Sequence, residues 1–486
     1  MKQTKIVATV GPASETKDIL RKMVENGMNV ARLNFSHGEH KWHKEIISRI
    51  RELSYELNIP IGVIADLQGP RIRTDIAETI ILKKGESVRI SDVSRKNVFI
   101  SDDKEKEVKT SSAEMKLVFL DVEEVIADIQ KDQKILIEDG LIELVVTKKS
   151  DNFVVARSLN DCVIKNHKGV IIPGVALKLP VLSEKDLRDL KFVLNEGVDF
   201  IALSFVESAE DIELARTKMR EIAAEMARLP QIIAKIERKK AIKNLSSIIK
   251  VTDAVMVARG DLGIEMPESE VVILQKCIIA ESLKSAKPVI VATQMMKSMM
   301  DNPRPTRAEV SDVSNAVIDH ADALMLSEES AMGKYPVETV AMMAEIIRKT
   351  EGSPFDDLYA ALDLNFRSDY AAMIRSVYEL AQSFRTKAIL LLSMSGFTAR
   401  LLSHFRPKGK LFVATNNRTT WNELSLVWGV NPCLFEDGQS PDTFIDRLMQ
   451  RMKEGGKLYK GDKVVVFLGR TPDKETMRLV GIREVR

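Results

Sequence analysis

Short apolar runs alternate with amphipathic stretches over much of the chain. Residues 6–10, 30–35, 62–67, 200–206, 232–237, 254–258, 289–294 and 323–327 read as strands. Their apolar character is continuous rather than alternating, which is the pattern of strands buried on both faces. Between most of them lies one helix with its loops, as over 15–26 and 40–57. Eight β–α units in sequence predict an α/β fold built on a closed (β/α)8 TIM barrel.

One interval is too long for a single unit, the one between residues 67 and 200. Over 70–168 the pattern changes to short β-rich pieces with charged turns (80–84, 87–90, 135–138, 141–147 and 153–156). This predicts an inserted β-barrel domain over 70–168, between barrel segments 1–69 and 169–350. After the helical stretch 337–349 and a polar segment comes a C-terminal α/β domain, 351–486, with strands expected at 388–392, 411–414 and 463–467.

Composition narrows the class. The 486 residues carry 72 Lys and Arg against 70 Asp and Glu, a net charge of +2, which argues against nucleic-acid or membrane-surface partners. The start of the chain runs straight into a strand with no apolar leader, and no run is long enough to cross a membrane. Cys162, Cys277 and Cys433 fit no metal spacing and read as reduced thiols. A cytoplasmic enzyme is the expectation.

In such a barrel, functional groups belong at the C-terminal strand ends. The second strand ends on Arg32, Asn34 and Ser36, which alternate onto one face, followed by His37. The third ends on Asp66 and Leu67, with Arg71 and Arg73 just beyond. The fifth carries Lys235 and Glu237 on one face, and charges in an apolar strand are costly unless paired or used. The sixth runs into Arg259-Gly260-Asp261-Leu262-Gly263, a turn whose glycines let backbone approach a ligand. Glu237 and Asp261 suit Mg²⁺, which takes one or two carboxylates and leaves positions for water and substrate oxygens. The other reading is a buried Lys–Glu pair with Asp261 capping a helix, and this stretch alone leaves both open. The seventh strand ends at Thr293 and the eighth at Ser327-Glu328-Glu329-Ser330. Arginines, a lysine and hydroxyls on one rim suit an anionic, phosphorylated ligand. Walker A loops, dinucleotide fingerprints and protein-kinase signatures are missing from the sequence. His40 and His43, one helical turn apart, read as a surface pair without a third metal ligand.

The strings KIVATVGPAS (5–14), ARLNFSHG (31–38), IAKIE (233–237), MVARGDLG (256–263), ATQMM (292–296) and PTRAEVSDVSNAV (305–317) resemble pyruvate kinase. The resemblance runs in order from residue 2 to about residue 470 and is more specific in the barrel than in the C-terminal block. It implies a cytoplasmic homotetramer of glycolysis that moves the phosphoryl group of phosphoenolpyruvate to ADP, giving pyruvate and ATP through a Mg²⁺-bound enolate. Mg²⁺ or Mn²⁺ would rest on Glu237 and Asp261. Lys235 would stabilise the phosphoryl group in flight, Arg32 and Arg73 would hold the phosphate, and backbone at Gly260 and Asp261 would meet the carboxylate. Thr293 would relay the proton to C3. Asn34, His37, Arg73 and Lys168 would contact the nucleotide, and the inserted domain would act as a water-excluding lid. No sign of the extra C-terminal domain of some bacterial members is expected.

The sequence departs from the family in four places. The family's monovalent site corresponds to Asn34, Ser36, Asp66 and the backbone of Leu67. Potassium-dependent members carry Glu where this chain has Arg71 and Thr where it has Leu67, so it resembles the potassium-independent branch. Either Arg71 supplies the charge and K⁺ is dispensable, or Arg71 faces solvent and K⁺ still binds. Glu207 stands where the family commonly has Arg, and Glu328 where it has Gly. In the C-terminal block, Ser393, Ser395, Gly396, Phe397 and Thr398 resemble the family's effector-phosphate loop at a helix start. The later Gly-rich effector loop is not recognisable over 469–474, so a sugar phosphate or AMP is the expected allosteric effector. Two rivals remain at this stage: a metal-dependent barrel lyase, which needs no ADP, and an inactive metabolite-sensing paralogue.

Overall fold

The computed structural model describes residues 2–95, 115–123, 125–138, 140–174, 180–226, 228–356, 369–435, 441–468 and 479–486. The chain divides into two compact units, one of Met1–Gln68, Glu184–Gly260 and Val271–Arg486, the other of Gly69–Ser183 and Asp261–Glu270.

In the first unit, Lys5–Thr9, Val30–Asn34, Gly62–Asp66, Phe200–Leu203, Gln231–Ile236, Ala254–Ala258, Val289–Ala292 and Ala323–Leu326 close into the expected barrel. Each strand is paired in parallel with its sequence neighbours, and the eighth returns to the first. The fourth and seventh strands stop short of the expected 206 and 294. Phe205 (φ 58°), Thr293 (φ 68°) and Gln294 (φ 56°) adopt left-handed backbone just past these ends, which breaks the ladder. Helices pack outside, several with sequence-encoded starts. Thr306 and Glu309 form a reciprocal capping box at the start of Arg307–Ile318, satisfying amides that the helix leaves open.

The barrel interior is filled by Val7, Ile64, Phe200, Ile233, Met256, Ile290 and Met325. A residue of the C-terminal block joins this core: Leu426, fully buried in the short turn Leu424–Leu426. The same junction holds buried charge. Lys5 donates to the Val430 carbonyl at 2.7 Å, and Arg406 pairs with Asp322 at 3.1 Å with almost no solvent on either side chain. Glu423 accepts from Arg228, and from Gln231 at 2.8 Å at the base of the fifth strand.

The C-terminal block is a five-stranded sheet in the order Val430–Leu434, Lys410–Thr415, Ala388–Leu392, Lys463–Leu468, Leu479–Glu484. The three central strands match the expected ones; the two edges were not expected. The expectation over 469–474 lies outside the described residues.

The second unit is itself a closed barrel of seven strands among its described residues, in the order Val154–Ser158, Ser87–Asp92, Leu117–Leu120, Ile72–Asp75, Gly169–Ile171, Lys134–Ile137, Ile142–Lys149. Ile80–Leu82 and Cys162–Ile164 form a separate ribbon. Gly169–Ile171 pairs with Ile72–Asp75 and with Lys134–Ile137, so this barrel reaches past the boundary expected at 168.

Two stability predictions follow from the junction. Leu426→Ala removes a side chain that the barrel cannot refill and is expected to cost about 2–5 kcal/mol, read as a lower midpoint in urea denaturation. Burial raises the Glu423 carboxyl to about 7, against the pull of Arg228 and Arg400. An acid with a raised folded-state value stabilises the fold when protonated. That contribution is complete below the ordinary value of 4.5 and is lost as pH rises to about 7. Melting curves should therefore show the wild type losing ground to Glu423→Gln across that window, with a constant gap above it.

Candidate active site

The strand ends of the first unit bring together most of the residues the sequence singled out. Strand register sets Asn34 beside Asp66 and Arg32 beside Thr9. Asp66 is buried at the end of the third strand and binds two cations. Its Oδ2 accepts from Arg32 Nε at 2.7 Å, and its Oδ1 lies 3.2 Å from Lys235 Nζ. Arg32 also donates to the Thr9 hydroxyl at 3.0 Å. Burial alone would push the Asp66 carboxyl up, but Lys235 and Arg32 together hold it below the usual carboxylate range.

Lys235 and Glu237 point the same way, as their spacing predicts, with Nζ 2.9 Å from Glu237 Oε1. The buried Lys–Glu pair, one of the two readings left open, is therefore formed. Lys235 further donates to Ser204 Oγ at 2.7 Å, and the Ser204 hydroxyl donates in turn to the Leu67 carbonyl at 2.8 Å. Glu237 Oε2 accepts from the Phe205 amide at 2.7 Å, an amide presented by the left-handed turn that ends the fourth strand. Glu237 is thus a buried oxygen donor fixed on one side by backbone and on the other by Lys235, and its oxygens are the hard ligands that Mg²⁺ takes. Among the described residues no three His, Cys, Asp or Glu side chains gather as a metal cluster.

Thr293 is β-branched and has φ 68°, a conformation that costs about 1–3 kcal/mol unless its surroundings impose it. They do. Arg259 Nη2 donates to the Thr293 carbonyl at 2.7 Å, and the Gly260 amide donates to Thr293 Oγ1 at 2.9 Å. The Thr293 hydroxyl donates to the Ala292 carbonyl at 2.6 Å. Arg259 is fixed in turn by Asp312 at 2.7 Å. The segment expected as a glycine turn is instead the helix Arg259–Glu265, which begins directly at the strand end and carries Asp261 in its first turn. A Cβ on Gly260 would sit 3.5 Å from Thr293 Oγ1, an ordinary contact, so space alone does not demand glycine there.

Other predicted residues fall as follows. Asn34 Oδ1 accepts from the Ser36 amide at 3.1 Å, closing the turn after the second strand. His37 offers its carbonyl to His43 Nε2 at 3.0 Å. His43 is therefore not a surface residue: it is 1% exposed and stacks on Phe35, while His40 binds Asp189 at 2.7 Å. Glu207 pairs with Lys240 at 2.9 Å, and Glu328 is exposed in the first turn of Glu328–Ala331, where negative charge suits a helix start. Both departures are accounted for locally.

Arg71, Arg73, Lys168 and Asp261 belong to the second unit. Within it, the Arg73 guanidinium donates to the His167 carbonyl at 3.2 Å, and Lys168 pairs with Glu138. In the C-terminal block, Ser395 and Phe397 are exposed at the start of Phe397–Ser403, whereas Ser393 and Thr398 are buried. The Thr398 hydroxyl is hydrogen-bonded to Tyr370, and Gly396 (φ 76°) makes the turn.

Sequence reasoning assigned no role to Thr9, Ser204, Phe205 or Arg259. All four sit at barrel strand ends, which was the available signal. Thr9 and Ser204 act through one hydroxyl each, Phe205 through its amide and Arg259 through its guanidinium, and none of these contacts is revealed by composition.

The family model of the pyruvate kinase barrel domain matches residues 1–340, and that of the pyruvate kinase alpha/beta domain matches 371–480. Pyruvate kinase 2 of Synechocystis is 38% identical over 96% of this chain and 76% of its own length. The pyruvate kinase of Staphylococcus epidermidis is 38% identical over 100% of this chain and 81% of its own. A crystal structure of a pyruvate kinase from Cryptosporidium parvum superposes with a TM-score of 0.90 at 31% identity, covering 100% of this chain and 96% of that one. A barrel rim that binds two cations through one buried carboxylate, read with these matches, shows that the chain belongs to the pyruvate kinase family and is a phosphotransferase.

Proposed function

We propose that the chain takes the phosphoryl group of phosphoenolpyruvate on the rim formed by Arg32, Asp66, Lys235 and Glu237 and delivers it to ADP. The observation that carries this reading is the sharing of Asp66 by Arg32 and Lys235, which fixes two buried cations for a transferring phosphoryl group. An oxygen of the ADP terminal phosphate attacks phosphorus, the P–O bond to C2 breaks, and the electron pair leaves on the enolate, which takes a proton at C3. Little covalent work falls to the protein in such a transfer; positioning and charge neutralisation dominate.

Arg32 and Arg73 hold the phosphate, and Lys235 follows the charge as it moves. The Gly260 and Asp261 backbone receives the substrate carboxylate, and the Thr293 hydroxyl relays the proton to C3. Asn34, His37, Arg73 and Lys168 serve the nucleotide. Glu237 and Asp261 hold the divalent ion, Mg²⁺ or Mn²⁺. When bound, that ion neutralises phosphoryl and enolate oxygens. Arg71 supplies the positive charge that K⁺ gives at the Asn34, Ser36, Asp66 and Leu67 site. The inserted barrel acts as the lid, and the 393–398 loop takes a phosphorylated effector, a sugar phosphate or AMP. A cytoplasmic homotetramer completes the reading. Its support is family membership, three cysteines that are all free, and no helix among the described residues long and apolar enough to cross a membrane.

The first test is pyruvate and ATP formation from phosphoenolpyruvate and ADP with Mg²⁺, with and without K⁺. We expect activity unchanged by K⁺, and Arg71→Glu should create a K⁺ requirement. Strong K⁺ activation of the wild type would overturn the role of Arg71 alone. No ATP in either buffer, with sugar phosphate or AMP added, would overturn the reaction.

Asp66→Asn keeps the shape and removes the charge that both cations share. The expected result is a loss of about 3–5 kcal/mol in urea denaturation, with kcat/KM for phosphoenolpyruvate falling about 10²-fold as Arg32 and Lys235 lose their placement.

A further inference from the structure

Between the base of the barrel and the C-terminal block lies a cavity of about 130 Å³ that none of the roles above uses. Its walls include Gln231, Asp253 and Lys287 from the barrel and Phe397, Arg400 and Leu401 from the C-terminal block. A single water needs only about 10–15 Å³ of such space, so the cavity has room for a tetrahedral oxyanion.

The charges around it are out of balance. Arg400 Nη1 is buried and finds no hydrogen-bond partner among the described residues, while its Nη2 reaches the Ser395 carbonyl only at 3.5 Å. A buried donor left idle is costly, more so on a charged group. Lys287 donates to the Thr252 carbonyl at 2.6 Å, which leaves further N–H donors on the ammonium group. The cavity's carboxylate is already engaged, because Asp253 Oδ2 accepts from the Ile232 amide at 2.9 Å and lies 3.1 Å from Arg216. Glu423 offers partial compensation to Arg400, yet it is bound by Arg228 and Gln231. Burial pushes both Lys287 and Arg400 below their ordinary values; Asp253 opposes the shift in each, Glu423 opposes it for Arg400, and the charge of Arg400 adds to it for Lys287. Two desolvated cations on the wall of one cavity are what an anion there would relieve.

We propose that this cavity binds a small oxyanion, a phosphate ion or a short carboxylate, held by the Arg400 guanidinium and the Lys287 ammonium group. It lies on the barrel side of Phe397–Ser403 and shares only Phe397 with the 393–398 loop. The site sits at the foot of the fifth strand, where Gln231 is both a wall of the cavity and a donor to Glu423.

The test is equilibrium dialysis of the full chain against radiolabelled orthophosphate and, separately, acetate, without Mg²⁺. Arg400→Gln and Lys287→Gln should each weaken binding at least tenfold, while Ser395→Ala and Arg32→Gln leave that site filled. If acetate binds and phosphate does not, with the same dependence on Arg400 and Lys287, the site stands and its ligand is a carboxylate. Binding that ignores both cavity variants, or that is lost only in Ser395→Ala or Arg32→Gln, would overturn the proposal, as would no saturable binding of either anion. Lys287→Gln, whose melting curve is checked against the wild type, decides the matter should Arg400→Gln fail to fold.

Discussion

A carboxylate with two cations on it is the constraint around which the barrel rim is arranged. Asp66 is buried, and burying an anion is unfavourable unless opposite charge is fixed close by. Arg32 and Lys235 come from the second and fifth strands, on opposite sides of the third and fourth, so Asp66 fixes the register of half the rim. Glu237 then balances Lys235, and the Phe205 amide balances Glu237. Each member depends on the next. The cluster is neutral as a set, which lets it persist in a water-poor site.

That arrangement explains where the backbone is strained. Left-handed residues follow the fourth and seventh strands, and each presents a group that an extended strand would turn away. Phe205 turns its amide onto Glu237, and Thr293 turns its hydroxyl toward Gly260. Arg259 grips the carbonyl on either side of the turn, at Ala292 and Thr293, so the strain at Thr293 is imposed by a buried ion rather than by sequence preference.

The eight barrel strands were legible because continuous apolar runs have few other readings, and the gathering of candidate residues was legible because strand ends mark one rim. What escaped has physical causes. Val430–Leu434 contains Asn431 and Pro432, and a proline cannot donate to a ladder; the strand is tolerated because it lies at the sheet's edge. Leu479–Glu484 is almost wholly exposed, so no apolar pattern announces it. In the inserted barrel, Ile72–Asp75 and Gly169–Ile171 are four and three residues long, shorter than any reliable period. His43 continues the buried face of Ile46, Ile47 and Ile50 by one turn, so helical spacing offered the signal for its burial, though not for the Phe35 ring it stacks on.

The fifth strand ties these observations together. Its foot is held by Gln231 on Glu423 and by the Ile232 amide on Asp253, its other end carries Lys235, and Glu237 follows directly. A paired strand at the centre of a closed barrel resists stretching, so a displacement at the foot must either reach the rim or be absorbed by its neighbours. Continuity of this kind is a route and not yet regulation. Coupling requires that a ligand bind two arrangements of the junction with different affinity. Glu423 is a natural place for two such arrangements. It is shared by Arg228 and Gln231, lies within the field of Arg400, and has a carboxyl raised to about 7 by burial. An anion that draws on Arg400 would leave Glu423 more dependent on Gln231, and through Gln231 on the strand whose far end holds Lys235.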